Sequence, residues 1–303
     1  MSDWNRFKTE INLSEYAAYC GYEVDRKNST KSSVKMKNGS DIIIVSKKGN
    51  SWVYFSVVDD TDNGAIVNFI QNRTGKELKD IARELLAWLG EDAPKVEAKD
   101  YVRDVEQQDY DPERIKRIFK GCHPMQYHTY LETRGIAKRI FNAPRFKNRL
   151  FFDRHKNAVF PHYNAQGDIC GLELKNEEKA VFVRGSEKTF WRSHCQKGDD
   201  TLVISEAVID ALSYSMLFPS QTSVYAATGG GMSPEQGGLL KSAVQGFKSI
   251  KTIIIAVDND EGGDRLAAKI EAVIIESGFT GETLRHSPKA QGQDWNNILQ
   301  ERR

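Results

Sequence analysis

The chain has 303 residues, of which 39% are hydrophobic and 28% are charged, and its formal net charge is +1. This composition is ordinary for a soluble globular protein, and the overall charge does not by itself indicate a nucleic-acid partner. No apolar run approaches the ~20 residues that cross a bilayer, and the first residues lack the apolar core of a signal peptide. We therefore expect a cytoplasmic protein that has no membrane partner.

Cysteine usage excludes two further classes. The four cysteines, Cys20, Cys122, Cys170 and Cys195, are far apart and form no Cys-x-x-Cys pair. Neither a zinc ribbon nor a disulfide framework is indicated. The length suffices for two domains, each with its own core.

Residues 1–90 are predicted to form a compact α+β module. A short helix over 13–20 ends at Gly21, and three strands follow, at 33–36, 41–45 and 52–57. The turns Asn38-Gly39 and Gly49-Asn50 are typical of hairpins. Helical spacing then covers 65–72 and 76–89, and Gly90 ends the second helix.

Residues 91–111 are charged and poor in large aliphatic side chains, which predicts a linker. Residues 112–200 are predicted to form a basic subdomain, first helical and then rich in strands. Its predicted helices are 112–119 and 128–134, and its predicted strands are 158–163, 169–174, 180–184 and 189–191.

Basic and aromatic residues alternate between Arg134 and Lys156, where Asp153 is the single acid. The aromatic members are Phe141, Phe146, Phe151 and Phe152. Such interleaving suits a groove that tracks single-stranded nucleic acid. The alternative is a solvated basic face over core phenylalanines.

From Thr201 onward, short apolar runs alternate with helical patterns, which predicts an α/β domain over 201–303. The predicted strands are 202–205, 223–226, 252–257 and a last one near 283–285. The predicted helices are 208–218, 234–247 and 264–277. We expect a mainly parallel sheet with helices on both faces.

Carboxylates stand where two of these strands end. Glu206 follows the run 202–205, and Asp258 and Asp260 follow the run 253–257. Ligands of open α/β sheets bind beyond the carboxyl ends of the strands, so these acids are expected to face one crevice. Side chains at i and i+2 of an extended segment point the same way, and oxygen ligands favour Mg²⁺ or Mn²⁺. The alternative is that the acids only cap the helices that follow.

A glycine-rich turn, Thr228-Gly229-Gly230-Gly231, lies between a predicted strand and a helix that begins at a proline. Such a turn either cradles phosphate on its backbone N–H groups or simply reverses the chain tightly.

These motifs resemble the toprim domain, a Rossmann-like fold shared by bacterial primases, topoisomerases and certain nucleases. Ser205-Glu206-Ala207 matches the family's glutamate motif, and Asp258-Asn259-Asp260 matches its aspartate pair. Tyr130-Leu131 through Gly135 is similar to a helix end of the primase polymerase domain. Gln293-Asp294-Trp295-Asn296-Asn297 is similar to the tail of toprim proteins encoded on plasmids and other mobile elements. The module over 1–90 resembles a primase zinc-binding domain without the Cys/His quartet that would hold zinc.

The resemblance implies a site and its ligands. Glu206, Asp258 and Asp260 would be catalytic and would hold Mg²⁺ or Mn²⁺, with Asp264 as a further metal ligand. Arg149, Lys175, Arg184 and Lys188 would bind nucleotide or template phosphates. Asp210 is either structural or an outer partner of the site.

The function implied is primase-like nucleotidyl transfer with nucleoside triphosphates on single-stranded DNA, in a plasmid, phage or mobile-element setting. A helicase, a relaxase or another replication or conjugation protein is a candidate partner. Bacterial primases usually place a basic residue directly after the aspartate pair, whereas this chain has Glu261. A toprim nuclease and a non-catalytic DNA-binding accessory protein therefore remain alternatives.

Overall fold

A computed structural model describes residues 3–30, 32–59, 61–90 and 110–302. The chain divides into two compact units, Met1–Asp109 and Tyr110–Arg303. Apart from Tyr110 and Asp111, the predicted linker 91–111 lies outside the described residues. The predicted division at residue 200 stays a prediction. In the described part of the chain, no helix has the length and apolar character to cross a membrane.

The first unit packs its helices against one face of an antiparallel sheet with the strand order β1-β2-β3-β4-β5. The helices are α1 (Asp3–Glu10), α2 (Leu13–Tyr19), α3 (Ile66–Thr74) and α4 (Leu78–Leu89), and a 3-10 turn covers Arg26–Asn28. The strands are β1 (Glu23–Val24), β2 (Ser33–Asn38), β3 (Asp41–Lys48), β4 (Ser51–Ser56) and β5 (Asn63–Gly64). Alternate strand residues, among them Met36, Ile43 and Tyr54, are buried against the helices, as the period of a half-covered strand requires.

Arg73 is the centre of a polar network in this unit. Its guanidinium contacts the carboxylates of Asp41 at 3.1 Å and Asp62 at 2.7 Å, and it donates to the Tyr22 hydroxyl at 2.6 Å. These partners lie on β3, on the loop before β5 and just before β1, whereas Arg73 belongs to α3. The network therefore ties the sheet to a helix by ionic and hydrogen-bonding contacts.

The second unit begins with helices and an antiparallel sheet whose order is β10-β9-β8-β7-β6. The helices are α5 (Pro112–Phe119), α6 (Thr129–Thr133) and α7 (Arg139–Asn142). The strands are β6 (His123–Pro124), β7 (Phe151–Phe152), β8 (Ala158–Tyr163), β9 (Ile169–Lys175) and β10 (Ala180–Phe182). One face of this sheet packs on α5 through Ile115, Val159 and Leu172.

A third sheet completes the second unit, with the order β11-β13-β12-β14-β15. Its strands are β11 (Trp191–Arg192), β12 (Thr201–Ser205), β13 (Ser223–Ala227), β14 (Thr252–Ile255) and β15 (Glu282–Arg285). The helices are α8 (Val208–Leu217), α9 (Pro234–Gly246), α10 (Glu261–Glu276) and α11 (Trp295–Glu301). Only β11 runs antiparallel, so the predicted mainly parallel α/β sheet is confirmed.

Two hydrophobic clusters cover the two faces of this third sheet. Leu240 of α9 and Ile270 of α10 pack with Ile204 and Ile253 on one side. On the other side, Leu212 of α8 and Trp295 of α11 pack with Val203. That second cluster also contains Leu131, Phe141, Phe146 and Phe160, so residues from both parts of the unit share one core.

The basic stretch between Arg134 and Lys156 corrects one expectation. Phe141, Phe146 and Phe151 are buried, so they are core side chains and cannot stack on bases. Arg145 is also buried, in a two-pronged ion pair with Asp199 whose contacts are both 2.6 Å. The alternative, core phenylalanines beneath basic residues, describes this stretch.

Candidate metal centre

Glu206 lies directly beyond β12, where a tight turn holds its backbone. The N–H groups of Gly229 and Gly230 donate to the Glu206 carbonyl at 2.8 and 3.1 Å, and the Thr228 hydroxyl donates to it at 3.2 Å. Gly229 and Gly230 both have positive φ angles, which glycine adopts without strain. Because these N–H groups are used inside the protein, the glycine-rich turn is a tight turn that positions Glu206 rather than a phosphate cradle.

Asp258 and Asp260 follow β14, the strand that pairs in parallel with β12. The Asp260 carboxylate accepts a hydrogen bond from the N–H of Gly263 at 2.7 Å and so caps α10. Asp258 is half-buried, and its Oδ1 atom has no hydrogen-bond partner. A Cβ atom at Gly263 would overlap the Asp258 carbonyl oxygen, so only glycine allows this close approach of helix and strand end.

The structure adds Asp294 to these acids, and it brings in Asp210, which the sequence left as either structural or an outer partner of the site. Asp210 lies in the first turn of α8 and is 5% exposed. Asp294 caps α11. The loop before α11 is tied to the aspartate pair because Asn259 donates through its side chain to the Pro288 carbonyl at 2.9 Å and through its N–H to the Gln293 carbonyl at 3.1 Å. The similarity of 293–297 to toprim tails was the available signal for Asp294.

The charges of these groups act on one another. Burial is the largest cause that raises the pKa of Asp258 to about 8, and the carboxylates of Asp210, Glu206, Asp294 and Asp260 contribute after it, in that order. Burial likewise raises the pKa of Asp210 to about 7, with Asp294 as the next cause. We call Glu206, Asp210, Asp258, Asp260 and Asp294 the acidic cluster. Carboxylates held together in this way favour a nearby cation.

A divalent cation fits these residues. The unpartnered, buried Oδ1 of Asp258 is an oxygen that a hard cation would satisfy, and the donors are oxygens, as Mg²⁺ and Mn²⁺ prefer. Within the described residues, no three His, Cys, Asp or Glu side chains already form a group that could hold an ion. The carboxylates of the acidic cluster therefore act on one another electrostatically, but in the described residues they do not form a complete coordination shell.

Two acids near the cluster have other partners. Asp264 is exposed and forms an ion pair with Arg285 of β15, and its role as a metal ligand stays a prediction. Glu261 forms an ion pair with Arg265, one turn along α10, at 2.9 Å, and its side chain is 87% exposed. Glu261, the acid directly after the aspartate pair, thus contacts a residue of its own helix.

Among the predicted phosphate-binding residues, Lys175 has an electrostatic effect on the cluster. Its ammonium contacts Oε1 of the buried Glu173 at 3.2 Å, and its charge lowers the pKa of Asp210. Lys188 donates to the carbonyl of Gly231 at 2.8 Å, at the turn that holds Glu206. Lys188 therefore lies at the turn that holds Glu206, and the charge of Lys175 acts on Asp210.

Arg149 and Arg184 are the other two predicted phosphate-binding residues. The Arg149 guanidinium stacks on the ring of Tyr163 at 4.5 Å, and the Arg149 carbonyl accepts from the Trp191 indole at 2.9 Å. Arg184 is exposed and follows β10. Their nucleotide-binding roles stay predictions.

The family comparison matches the geometry of the third sheet. The family model described as "Toprim-like" matches residues 203–299, from β12 to α11. The chain contains a toprim-like domain. A second family, described as "Protein of unknown function (DUF3991)", matches residues 129–210. A comparison with curated proteins found no match.

Solved primase structures are similar to the chain over half of its length or more. A DNA primase domain from Pseudomonas aeruginosa is 16% identical, with a TM-score of 0.37, over 50% of this chain and 49% of that one. The Aquifex aeolicus primase, with its zinc-binding and RNA polymerase domains, is 13% identical, with a TM-score of 0.39, over 99% and 82%.

The primase fragment of the bacteriophage T7 primase-helicase protein is 13% identical, with a TM-score of 0.42, over 64% of this chain and 74% of that one. These identities and scores are low. The reaction of this chain must therefore be argued from its own site.

Proposed function

We propose that this protein is a metal-dependent enzyme acting on DNA, and that its reaction is primase-like nucleotidyl transfer on a single-stranded template. One observation carries the proposal: the acidic cluster, in which Asp258 keeps a buried oxygen without a hydrogen-bond partner. A toprim-like domain that concentrates carboxylates at the ends of parallel strands is suited to phosphate chemistry.

The roles of the residues follow from their positions. Asp258 and Asp260 would hold Mg²⁺ or Mn²⁺, and Glu206 would act as a further ligand or as the general base. A bound divalent ion neutralises charge on the attacking and leaving oxygens. Lys175 and Lys188 would neutralise phosphate oxygens of the triphosphate or template, since cations near a phosphate reduce its repulsion from carboxylates.

The test is a primer-synthesis assay. Full-length protein is incubated with single-stranded DNA, ribonucleoside or deoxyribonucleoside triphosphates, and Mg²⁺ or Mn²⁺, and dinucleotide products are resolved. We expect product with the wild type, none with Asp258→Ala, and product with Lys179→Met, which removes an exposed charge. Absence of product with the wild type would refute nucleotidyl transfer.

The same variants separate the alternatives. Metal-dependent cutting of DNA in the absence of nucleotides would assign the acidic cluster to a nuclease. DNA binding without any reaction, unchanged in Asp258→Ala, would assign the protein to the non-catalytic accessory class.

A further inference from the structure

Glu173 and Lys175 form a buried ion pair that the proposed reaction does not explain. The side chains are 5% and 13% exposed, and the contact is 3.2 Å. The second carboxylate oxygen of Glu173, Oε2, is buried and has no hydrogen-bond partner. Burying a carboxylate costs free energy unless the group is well paired, and a single ion-pair contact offsets that cost only in part.

The sheet register places this pair on the core face of β9. Glu173 and Lys175 are two residues apart on β9 and so share one face. Their cross-strand partners on β8 are Phe160 and Ala158. Those two residues pack in the same hydrophobic cluster as Val208 and Ile209, which directly precede Asp210 on α8. The face of β9 that carries the ion pair is therefore the face on the core to which α8 also contributes.

The electrostatics agree with this placement. Lys175 is the cation that lowers the pKa of Asp210, against the raising effects of burial and of Asp294. An ammonium on a flexible stem supplies positive charge without occupying the oxygen ligands of a hard cation. Its position depends on Glu173, the carboxylate in contact with it.

We propose that Lys175, anchored by Glu173, is a built-in cation of the acidic cluster, and that this pair sets the affinity of the cluster for a divalent cation. The inference rests on the proposed function only in that the acidic cluster binds Mg²⁺ or Mn²⁺. Glu173 is then a positioning residue, which acts through Lys175. The lysine neutralises part of the cluster before the ion arrives and opposes the ion when it binds.

The pair predicts effects of opposite sign. Lys175→Met removes the opposing charge and should tighten Mn²⁺ binding by roughly 3- to 10-fold, whereas Glu173→Gln should weaken it by a similar factor. The double variant restores the net charge of the pair and should bind Mn²⁺ nearly as the wild type does. Lys179→Met and Glu178→Gln change the same charges at exposed positions of the adjoining hairpin and should leave the affinity unchanged.

The experiment is titration calorimetry of Mn²⁺ and Mg²⁺ into the full-length proteins, with thermal melting in EDTA beside it. Lys175→Met should melt lower than the double variant in EDTA, because it leaves Glu173 buried without its partner. If Lys175→Met does not fold, the weakening expected for Glu173→Gln and the near-native affinity of the double variant still test the pair.

The outcomes are distinguishable. Binding by the wild type with equal or weaker affinity in Lys175→Met overturns the role of the pair and leaves the proposed function standing. No uptake of either ion by the wild type overturns both.

Discussion

The backbone N–H of Asn296 donates a hydrogen bond to Oδ1 of Asp210 at 3.3 Å, across 86 residues of chain. The Asn296 side chain also donates to the Arg134 carbonyl at 2.6 Å and to the Ser213 hydroxyl at 2.9 Å. One buried asparagine thus joins α11, α8 and the end of α6. Asp294 lies two residues earlier on the same segment, and its charge raises the pKa of Asp210.

Replacing Asn296 tests this joint. Asn296→Ala should lower the free energy of unfolding by roughly 1–3 kcal/mol, since it leaves buried partners without their donors. It should also weaken Mn²⁺ binding, because Asp294 is no longer held near the cluster. Chemical denaturation and calorimetry measure the two effects. Arg302→Gln, an exposed change directly after the same helix, is the control. Lower stability with unchanged Mn²⁺ affinity would remove Asp294 from the metal centre.

Neutralising Asp258 separates metal binding from folding. Asp258→Asn keeps the shape of the side chain and removes a half-buried charge, so the protein should melt at a higher temperature in EDTA than the wild type does. Mn²⁺ affinity should fall by at least about tenfold, the scale of losses at metal sites. Asp264→Asn is the matched control, because Asp264 is exposed and paired with Arg285. A loss of Mn²⁺ affinity in Asp264→Asn as large as that in Asp258→Asn would support Asp264 as a metal ligand.

The stability of the metal-free protein should depend on pH. The folded pKa of Asp258 is raised to about 8 from an ordinary value of 3.8, so the folded state binds more protons than the unfolded state between these values. The contribution of Asp258 to the free energy of unfolding is therefore present at low pH and is lost as the pH rises through this window.

Melting curves in EDTA at several pH values measure that loss, and Asp258→Asn should show a smaller fall. Added Mn²⁺ should restore stability most at the alkaline end, because the ion takes the place of the protons. Equal pH profiles for the wild type and Asp258→Asn would argue against a raised pKa at this carboxyl group.

The first unit should depend on Arg73. Arg73→Met leaves the carboxylates of Asp41 and Asp62 without their shared cation, and breaking such a pair typically costs about 3–5 kcal/mol. Hydrogen exchange of the full-length protein should then show faster exchange over residues 3–90, with residues 110–302 unchanged. Arg83→Met, at a mostly exposed arginine of α4, is the control. Unchanged exchange in Arg73→Met would mean that the apolar core alone holds this unit.

The strands and long helices could be predicted because their signals are local. Alternating burial marks β2, β3 and β4, and the apolar runs mark β12 and β14. The element α11 escaped prediction because it is short, and its amphipathic face is evident only when Trp295 and Leu299 meet the core. The segments α7, β6 and β7 were missed for the same reason, since their stability comes from contacts with distant residues.

For the site, the order and chemistry of the residues determined the acids at the ends of β12 and β14 and the resemblance to toprim domains. Only the tertiary structure decided which other charges join them. Asp210 and Asp294 enter the cluster, whereas Asp264 turns to Arg285 and Lys175 pairs with Glu173. The physical reason is that the alternation of apolar and polar residues shows which face of a strand is buried. The pairing of charges depends instead on distances between segments that are far apart in the chain.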